Sequence, residues 1–251
     1  MLIAIGLAIA ACRDSGSRTI VSAPTAEGIT LVVSERGASP SGMPWQYGEL
    51  LNPESPRSIL AKTDVCPRGF IAWSHYGGTL EPDRLVLENM ILFFATDPDH
   101  VRPMMRGLEQ LDLDLVKKLK DNQRGCLIGP ELLARVRKHV GDQFWIHGIS
   151  HKGIDLEFEV VGELPESRYK NAAIMNVSSL KTALEEYERA NGEKHEQRDR
   201  VLAMIHLRAV DAEAVKRITK VIEDSPDLAA PRLSCRREED VLADLLKEKS
   251  P

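Results

Sequence analysis

The chain has 251 residues, of which 43% are hydrophobic and 28% charged, and its net charge is −5. That length and balance suit a globular protein with a sizeable core, not a disordered chain. Acidic and basic residues are interspersed, which speaks against nucleic acid as a partner and against a membrane-surface domain.

The first twelve residues, MLIAIGLAIAAC, are apolar. A full membrane span needs about 20 such residues, so this run is little more than half of one. Three readings stand. It is the last part of a truncated transmembrane helix whose start is missing from this chain. It is an export signal in which Ile9-Ala10-Ala11 precede Cys12 as in a lipoprotein cleavage site, making Cys12 a candidate for lipidation, although Met1-Leu2-Ile3 offer no positive charge. Or it is a buried helix. The first two place the rest of the chain outside the cytoplasm. Residues 13–28, rich in Ser, Ala and Thr, read as a linker.

Residues 29–35, ITLVVSE, predict a short β-branched strand. Residues 37–68 carry several prolines and little periodicity, leaving room for one short helix near 47–51. A strand is expected over 70–78 and a long apolar one, central in its sheet, over 87–97. Asp97 or Asp99 then caps a helix that places Val101, Met104, Met105 and Leu108 on one side. A second short helix covers 111–121.

From Arg124 on, the pattern sharpens. GCLIG reads as a buried strand. PELLARVRKHVG reads as a helix with Pro130 in its first turn, Gly141 at its end and Leu133, Val136 and Val140 inward. QFWIHGI and DLEFEVVGEL form two strands joined by SHKG, with Leu156, Phe158 and Val160 alternating with Glu157 and Glu159. AAIMN is a short strand. The helix after it is capped by Ser178 or Ser179 and stopped by Gly192. Residues 201–209 are a strand. Asp211 caps a helix with Val215, Ile218 and Ile222 inward, and EEDVLADLLKEK is a last amphipathic helix. No repeat is present, and the loose alternation of elements points to an α+β fold with mixed sheets.

Reactive constellations are weak. Cys12, Cys66, Cys126 and Cys235 are far apart and form no CxxC, so lone thiols are the default. His147 and His151 have a zinc-like spacing but straddle a hairpin and lack an H-E-x-x-H glutamate. Asn176-Val177-Ser178 is a glycosylation sequon in spelling alone. Asp97 and Asp99 are better read as helix caps than as an acid–base pair. No nucleophile elbow, dinucleotide fingerprint or P-loop occurs, so no catalytic, cofactor or metal residues are assigned. Phe158, Val160 and Ile205 are expected in the core. Trp45, Trp73 and Trp145 are left open between core and interface.

In the stretch from Arg124, the order of strand, IGPELLARV helix, FWIHGI, hairpin and LEFEVVGELPE resembles the extracytoplasmic (periplasmic) core domain of MacB/FtsX-type ABC-transporter permeases. There the second strand of a pair ends on a turn before a proline, as VVGELP does at 160–165. SRYKNAAIMNVSSLKTALEEY is similar to the strand and docking helix that follow, and IHLRAVDAEAVKRITKVIEDSP to the closing strand and helix. Upstream, ITLVVSERG, MPWQYGELL, YGGTL and ENMILFFATDPDHVRPMM look like the same branch. The resemblance spans residues 29–235, with the charged stretch 236–251 left as a C-terminal tail.

That resemblance implies an α+β, mixed-sheet, two-lobed domain: a porter-like lobe built from the chain ends and a second lobe inserted between them. It implies a non-catalytic part in transmembrane transport, on the periplasmic side of the inner membrane. The domain would relay the motion driven by a cytoplasmic ABC ATPase through permease membrane helices, and could pair as a homodimer. In the family a second membrane helix follows the core domain, whereas RREEDVLADLLKEKSP is too charged to span a bilayer. The expectation is therefore a truncated or split permease. Two alternatives remain: a free-standing lipid-anchored periplasmic binding protein acylated at Cys12, and a hydrolase-like enzyme assembled from His75, Asp97 and Ser150.

Overall fold

The structure, a computed structural model, describes residues 28–37, 42–61, 63 and 67–247. The expectations placed on residues 1–12, on the linker as far as residue 27, on Cys12 and on Cys66 lie outside the described residues.

In chain order the strands and helices are β1 (Ile29–Glu35), α1 (Trp45–Leu51), β2 (Gly69–Thr79), β3 (Met90–Thr96), α2 (Val101–Met104), α3 (Leu113–Asp121), β4 (Gly125–Ile128), α4 (Pro130–Val136), β5 (Gln143–Gly148), β6 (Leu156–Glu163), β7 (Ala173–Asn176), α5 (Val177–Asn191), β8 (Leu202–Ala209), α6 (Ala212–Asp224), β9 (Leu233–Arg237) and α7 (Glu238–Lys247). They form two compact units. One is Ser74–Arg198; the other joins the described residues up to Trp73 with those from Asp199 on. The second unit is therefore built from the chain ends, and the first is inserted into it. This is the two-lobed α+β arrangement expected.

In the chain-end unit the strand order is β2–β8–β1–β9, and both β8 and β9 run antiparallel to β1. The halves β1-α1-β2 and β8-α6-β9 thus interlock as a split βαβ pair, the ferredoxin-like plan. Period-two alternation explains the buried face: Leu31 and Val33 on β1, and Ile205 and Leu207 on β8, are all fully buried. The four-residue spacing of Ala214, Ile218 and Ile222 turns one stripe of α6 onto that face. Val215, expected inward, sits at the margin of the stripe and is partly buried. Asp211 caps the helix as expected, accepting a bond from the Ala214 N–H at 2.7 Å.

In the inserted unit the strands follow the order β3–β7–β4–β6–β5–β2, and β2 also pairs with β3, so six strands close on themselves. Closure removes the free sheet edges. β3 has a neighbour on each side, antiparallel β2 and parallel β7, and its alternate residues Ile91, Phe93 and Ala95 are buried. The weakest seam is β2–β5, where only Gly78↔Gly148 and Thr79↔His147 face each other. The backbones approach so closely there that a Cβ on Gly78 would lie 2.2 Å from the His147 carbonyl oxygen. Aromatic rings fill the middle. Phe93 and Phe158 stack at 4.2 Å, with Tyr76 and Phe144 each about a ring's width from Phe158, at 6.1 Å. The Tyr76 hydroxyl bonds the carbonyl oxygens of Ile146 and Ile154, both at 3.0 Å.

Several boundaries differ from the sequence pattern. The strand expected over 87–97 starts at Met90, because Leu87–Asn89 is a 3-10 turn. The helix after Asp97 runs only over Val101–Met104, yet Met104, Met105 and Leu108 are core residues all the same. The helix from Pro130 ends at Val136: Arg137 takes the left-handed conformation at φ 55°, and the Lys138 N–H closes onto the Leu133 carbonyl at 3.0 Å. Val140 is therefore beyond the helix and 56% exposed, not on its inner face. The cap of α5 is Asn176 and neither serine, its side chain accepting the Ser178 N–H at 3.0 Å. β9 was not visible as a strand in the sequence. No helix among the described residues is long and apolar enough to cross a membrane.

Candidate functional site

The hydrolase combination does not assemble. β2 and β3 run antiparallel with His75 opposite Phe94. Asp97 is three residues further along β3's direction, so it is displaced by about 10 Å at the rise of a strand. Its carboxylate instead accepts the Asp99 N–H at 3.0 Å, the capping role expected. Asp99 pairs with Lys120 at 2.5 Å on the surface. Ser150 turns to the backbone of β2: the Gly77 N–H donates to its Oγ at 2.8 Å.

His147 and His151 are also kept apart in role. His147 Nδ1 lies 2.8 Å from the carboxylate of Asp155, on a partly exposed hairpin. His151 sits in the turn between β5 and β6 with 4% exposure, its Nδ1 3.0 Å from Ser150 Oγ. Among the described residues, no three His, Cys, Asp or Glu side chains gather as metal ligands. Asn176 is buried at the head of α5 with its amide engaged by the Ser178 N–H and the Lys120 carbonyl, an arrangement that leaves no glycan acceptor. Cys126 and Cys235 are free thiols. Burial pushes the Cys126 thiol well above its ordinary range and that of Cys235 up to about 11, which makes both poor nucleophiles.

One group of titratable side chains was not indicated by the sequence pattern. His151 and His195 stack at 5.7 Å between ring centroids, and Tyr187 meets His195 edge-on at 4.9 Å. Tyr76 lies 5.8 Å from His151. His195 is also only 4% exposed. The Gln197 N–H donates to its Nδ1 at 3.1 Å, so Nε2 carries the proton and donates to the Lys152 carbonyl at 3.2 Å. Burial pushes His151 down to about 4, helped by the neighbouring His195 and His75. Burial alone pushes His75 down to about 4. Among the described residues, the Nε2 atoms of both His75 and His151 are sealed from water and meet no hydrogen-bond partner. The one hydroxyl at this group, Ser150 Oγ, also accepts the Gly77 N–H, and among the described residues no carboxylate is hydrogen-bonded to the His151 or His195 ring.

Of the three tryptophans, Trp73 is core, Trp45 packs at the margin of the chain-end core and Trp145 is 53% exposed on β5. The loop between β2 and β3 presents Leu85, Val86, Leu87 and Met90 to solvent. Asn89 holds this loop in shape: its amide donates to the carbonyls of Glu81 and Arg84 at 2.8 and 2.7 Å and accepts the Glu81 N–H at 3.0 Å. One amide thus supplies two donated bonds and one accepted bond from a single side chain.

No protein-family model matches the sequence, and no protein of curated function matches it. Among solved structures, the chain is similar to the periplasmic region of MacB from Actinobacillus actinomycetemcomitans, with a TM-score of 0.51 and 9% identity over 88% of this chain and 94% of that one. It also aligns with the extracellular domain of the noncanonic ABC-type transporter YknZ from Gram-positive bacteria, with a TM-score of 0.47 and 12% identity over 83% of this chain and 98% of that one. The fold is therefore that of the MacB periplasmic region, as the order of motifs in the sequence implied.

Proposed function

We propose that this chain is a non-catalytic extracytoplasmic domain of an ABC transporter permease, which relays motion driven by a cytoplasmic ATPase. The observation that carries this reading is the likeness to the MacB periplasmic region along nearly the whole of both chains. Two features of the inserted unit support it. Its polar side chains are engaged in holding backbone, as with Asp97, Ser150 and Asn89. Its six-stranded closure around stacked aromatics is stiff, and a relay element has to be stiff because a compliant one absorbs displacement. The partners are then the ATPase and the permease membrane helices, with a second copy of the chain as a further contact, and the location is the outer side of the inner membrane.

Two measurements test this. Native protein extracted from membranes with mild detergent is expected to co-purify with a nucleotide-binding ATPase. A Val140→Cys variant, at an exposed position, is expected to react with a membrane-impermeant maleimide in intact cells above the wild-type background. Recovery in the soluble fraction without an ATPase, or labelling only after lysis, refutes the proposal.

The second reading, a free-standing lipid-anchored binding protein, rests on Ile9-Ala10-Ala11 ahead of Cys12. Fatty-acid labelling that disappears in Cys12→Ala would support it; unlabelled protein would remove it.

A further inference from the structure

The stacked histidines lie where α5's trailing segment crosses the β5–β6 turn. α5 ends at Gly192, whose φ is 73°, and residues 193–198 then lead out of the inserted unit. This segment is held to the turn by His195: one ring nitrogen donates to the Lys152 carbonyl, the other accepts from the Gln197 N–H, and the ring face covers His151. All of these contacts require a neutral imidazole. A second proton on His195 would point an N–H at the Gln197 N–H. A proton on His151 would put a charge in a site that is 4% exposed, against its stacked neighbour.

We propose that the His151–His195 stack is an acid-released clasp: neutral, it fixes residues 193–198 onto the 149–154 turn, and protonated, it lets them go. It goes beyond the permease reading and does not depend on it.

The surrounding charges do not offset the proton. Among the described residues neither ring is hydrogen-bonded to a carboxylate. On the turn the adjacent charge is Lys152, and on β2 the facing group is Tyr76, with the His75 ring packed on Phe94 and acting on His151 through its charge alone. Asp155 at the start of β6 is taken by His147 and the Gly148 N–H. From α5, Tyr187 faces the His195 ring, while Glu185 and Glu188 are engaged by Arg198 at 3.6 and 3.8 Å. The segment's own charges are Glu193, Lys194, Glu196 and Arg198. A proton is therefore accommodated only by opening the stack to water.

Hydrogen exchange on the full chain tests this from pH 7.5 to 4.5, corrected for the intrinsic rate. Once the pH falls below the ordinary histidine range, the opening equilibrium of residues 149–155 and 193–198 is expected to rise about tenfold per pH unit. β3 and β7 are expected to stay protected. In the double variant His151→Gln/His195→Gln the slope is expected to vanish. Should that variant not fold, imidazole NMR of the wild type decides, because the His151 ring must titrate together with the segment's loss of protection. Flat protection down to pH 4.5 overturns the clasp. So does a slope that survives in the double variant, one that disappears in Glu185→Gln/Glu188→Gln, loss only together with β3 and β7, or a ring titration separate from the opening.

Discussion

Replacing Phe158 by Ala removes the centre of the inserted unit's core. The ring is 1% exposed and stacks on Phe93 at 4.2 Å with an interplanar angle of 13°. Tyr76 and Phe144 close on it from two other strands. A buried Phe→Ala change costs about 3–5 kcal/mol, because the transfer energy is lost and the cavity collapses only in part. The stacked partner adds about 0.5–1.5 kcal/mol that area alone does not count, which puts this site near the top of the range. At a urea slope of about 2 kcal/mol per molar, the unfolding midpoint should fall by about 2 M. Phe158→Leu keeps most of the volume and should cost about 1.5 kcal/mol or less. Far-UV circular dichroism in urea reads the shift, and hydrogen exchange in β4 and β7 confirms that the loss lies in this unit. A Phe158→Ala midpoint within about 0.5 M of wild type would mean that the stacked rings do not hold the six strands together, and the account of the core would fail.

Three further outcomes follow from named contacts. Both His75 and His151 are held at about 4, below the ordinary 6.5, so the unfolded chain binds more protons between those values. Stability is thus fully present above 6.5 and is lost as the pH falls towards 4, by about 3 kcal/mol for each ring and less than twice that for both because they interact; urea titrations at pH 7.5 and 4.5 measure it, and equal midpoints would refute it. Gly78→Ala forces a Cβ to within 2.2 Å of the His147 carbonyl, so it should cost at least the 1–3 kcal/mol of ordinary overpacking and open the β2–β5 seam, seen as faster exchange at Ile149, whose N–H donates to the Gly77 carbonyl at 2.9 Å. Asp211→Ala should cost about 1 kcal/mol by freeing the Ala214 N–H, whereas Asp211→Asn, which can still cap, should cost much less in the same melt.

Where one local rule governed, the sequence was readable. Phe158 and Val160 alternate with glutamates and are buried; Asp211 precedes an apolar stripe and caps it; Gly192 stops a helix in the left-handed conformation. Misplacements arose where two rules competed. Asn176, Ser178 and Ser179 are all capping residue types, and tertiary contacts chose Asn176, whose amide also reaches the Lys120 carbonyl. Val140 keeps helical spacing with Val136, but the left-handed Arg137 ends the helix before it. β9, Leu-Ser-Cys-Arg-Arg, has no alternation to announce it; its extended form is fixed by register with β1, Val33 facing Cys235. The overall fold was legible through the order of weak motifs, not through any one of them. The histidine group was not legible: His75, His151 and His195 are brought together only when the β2, β5 and β6 strands and the exit of α5 have taken their places.

These placements give the inserted unit an uneven rigidity with a physical cause. Three of its loops are pinned by groups that do not titrate. Asn89 closes the β2–β3 loop, Asn176 heads α5 and Ser150 ties the β5–β6 turn to the Gly77 backbone. Amides and hydroxyls hold the same bonds in acid as at neutrality. The 193–198 segment is pinned differently, through an imidazole that must both donate and accept. A glutamine there could reproduce one donor and one acceptor without a titration, so the chemistry of the hold does not by itself require histidine. What histidine adds is a hold that depends on pH: rigid while the rings are neutral, released at the one point where the chain leaves the unit once they take up protons.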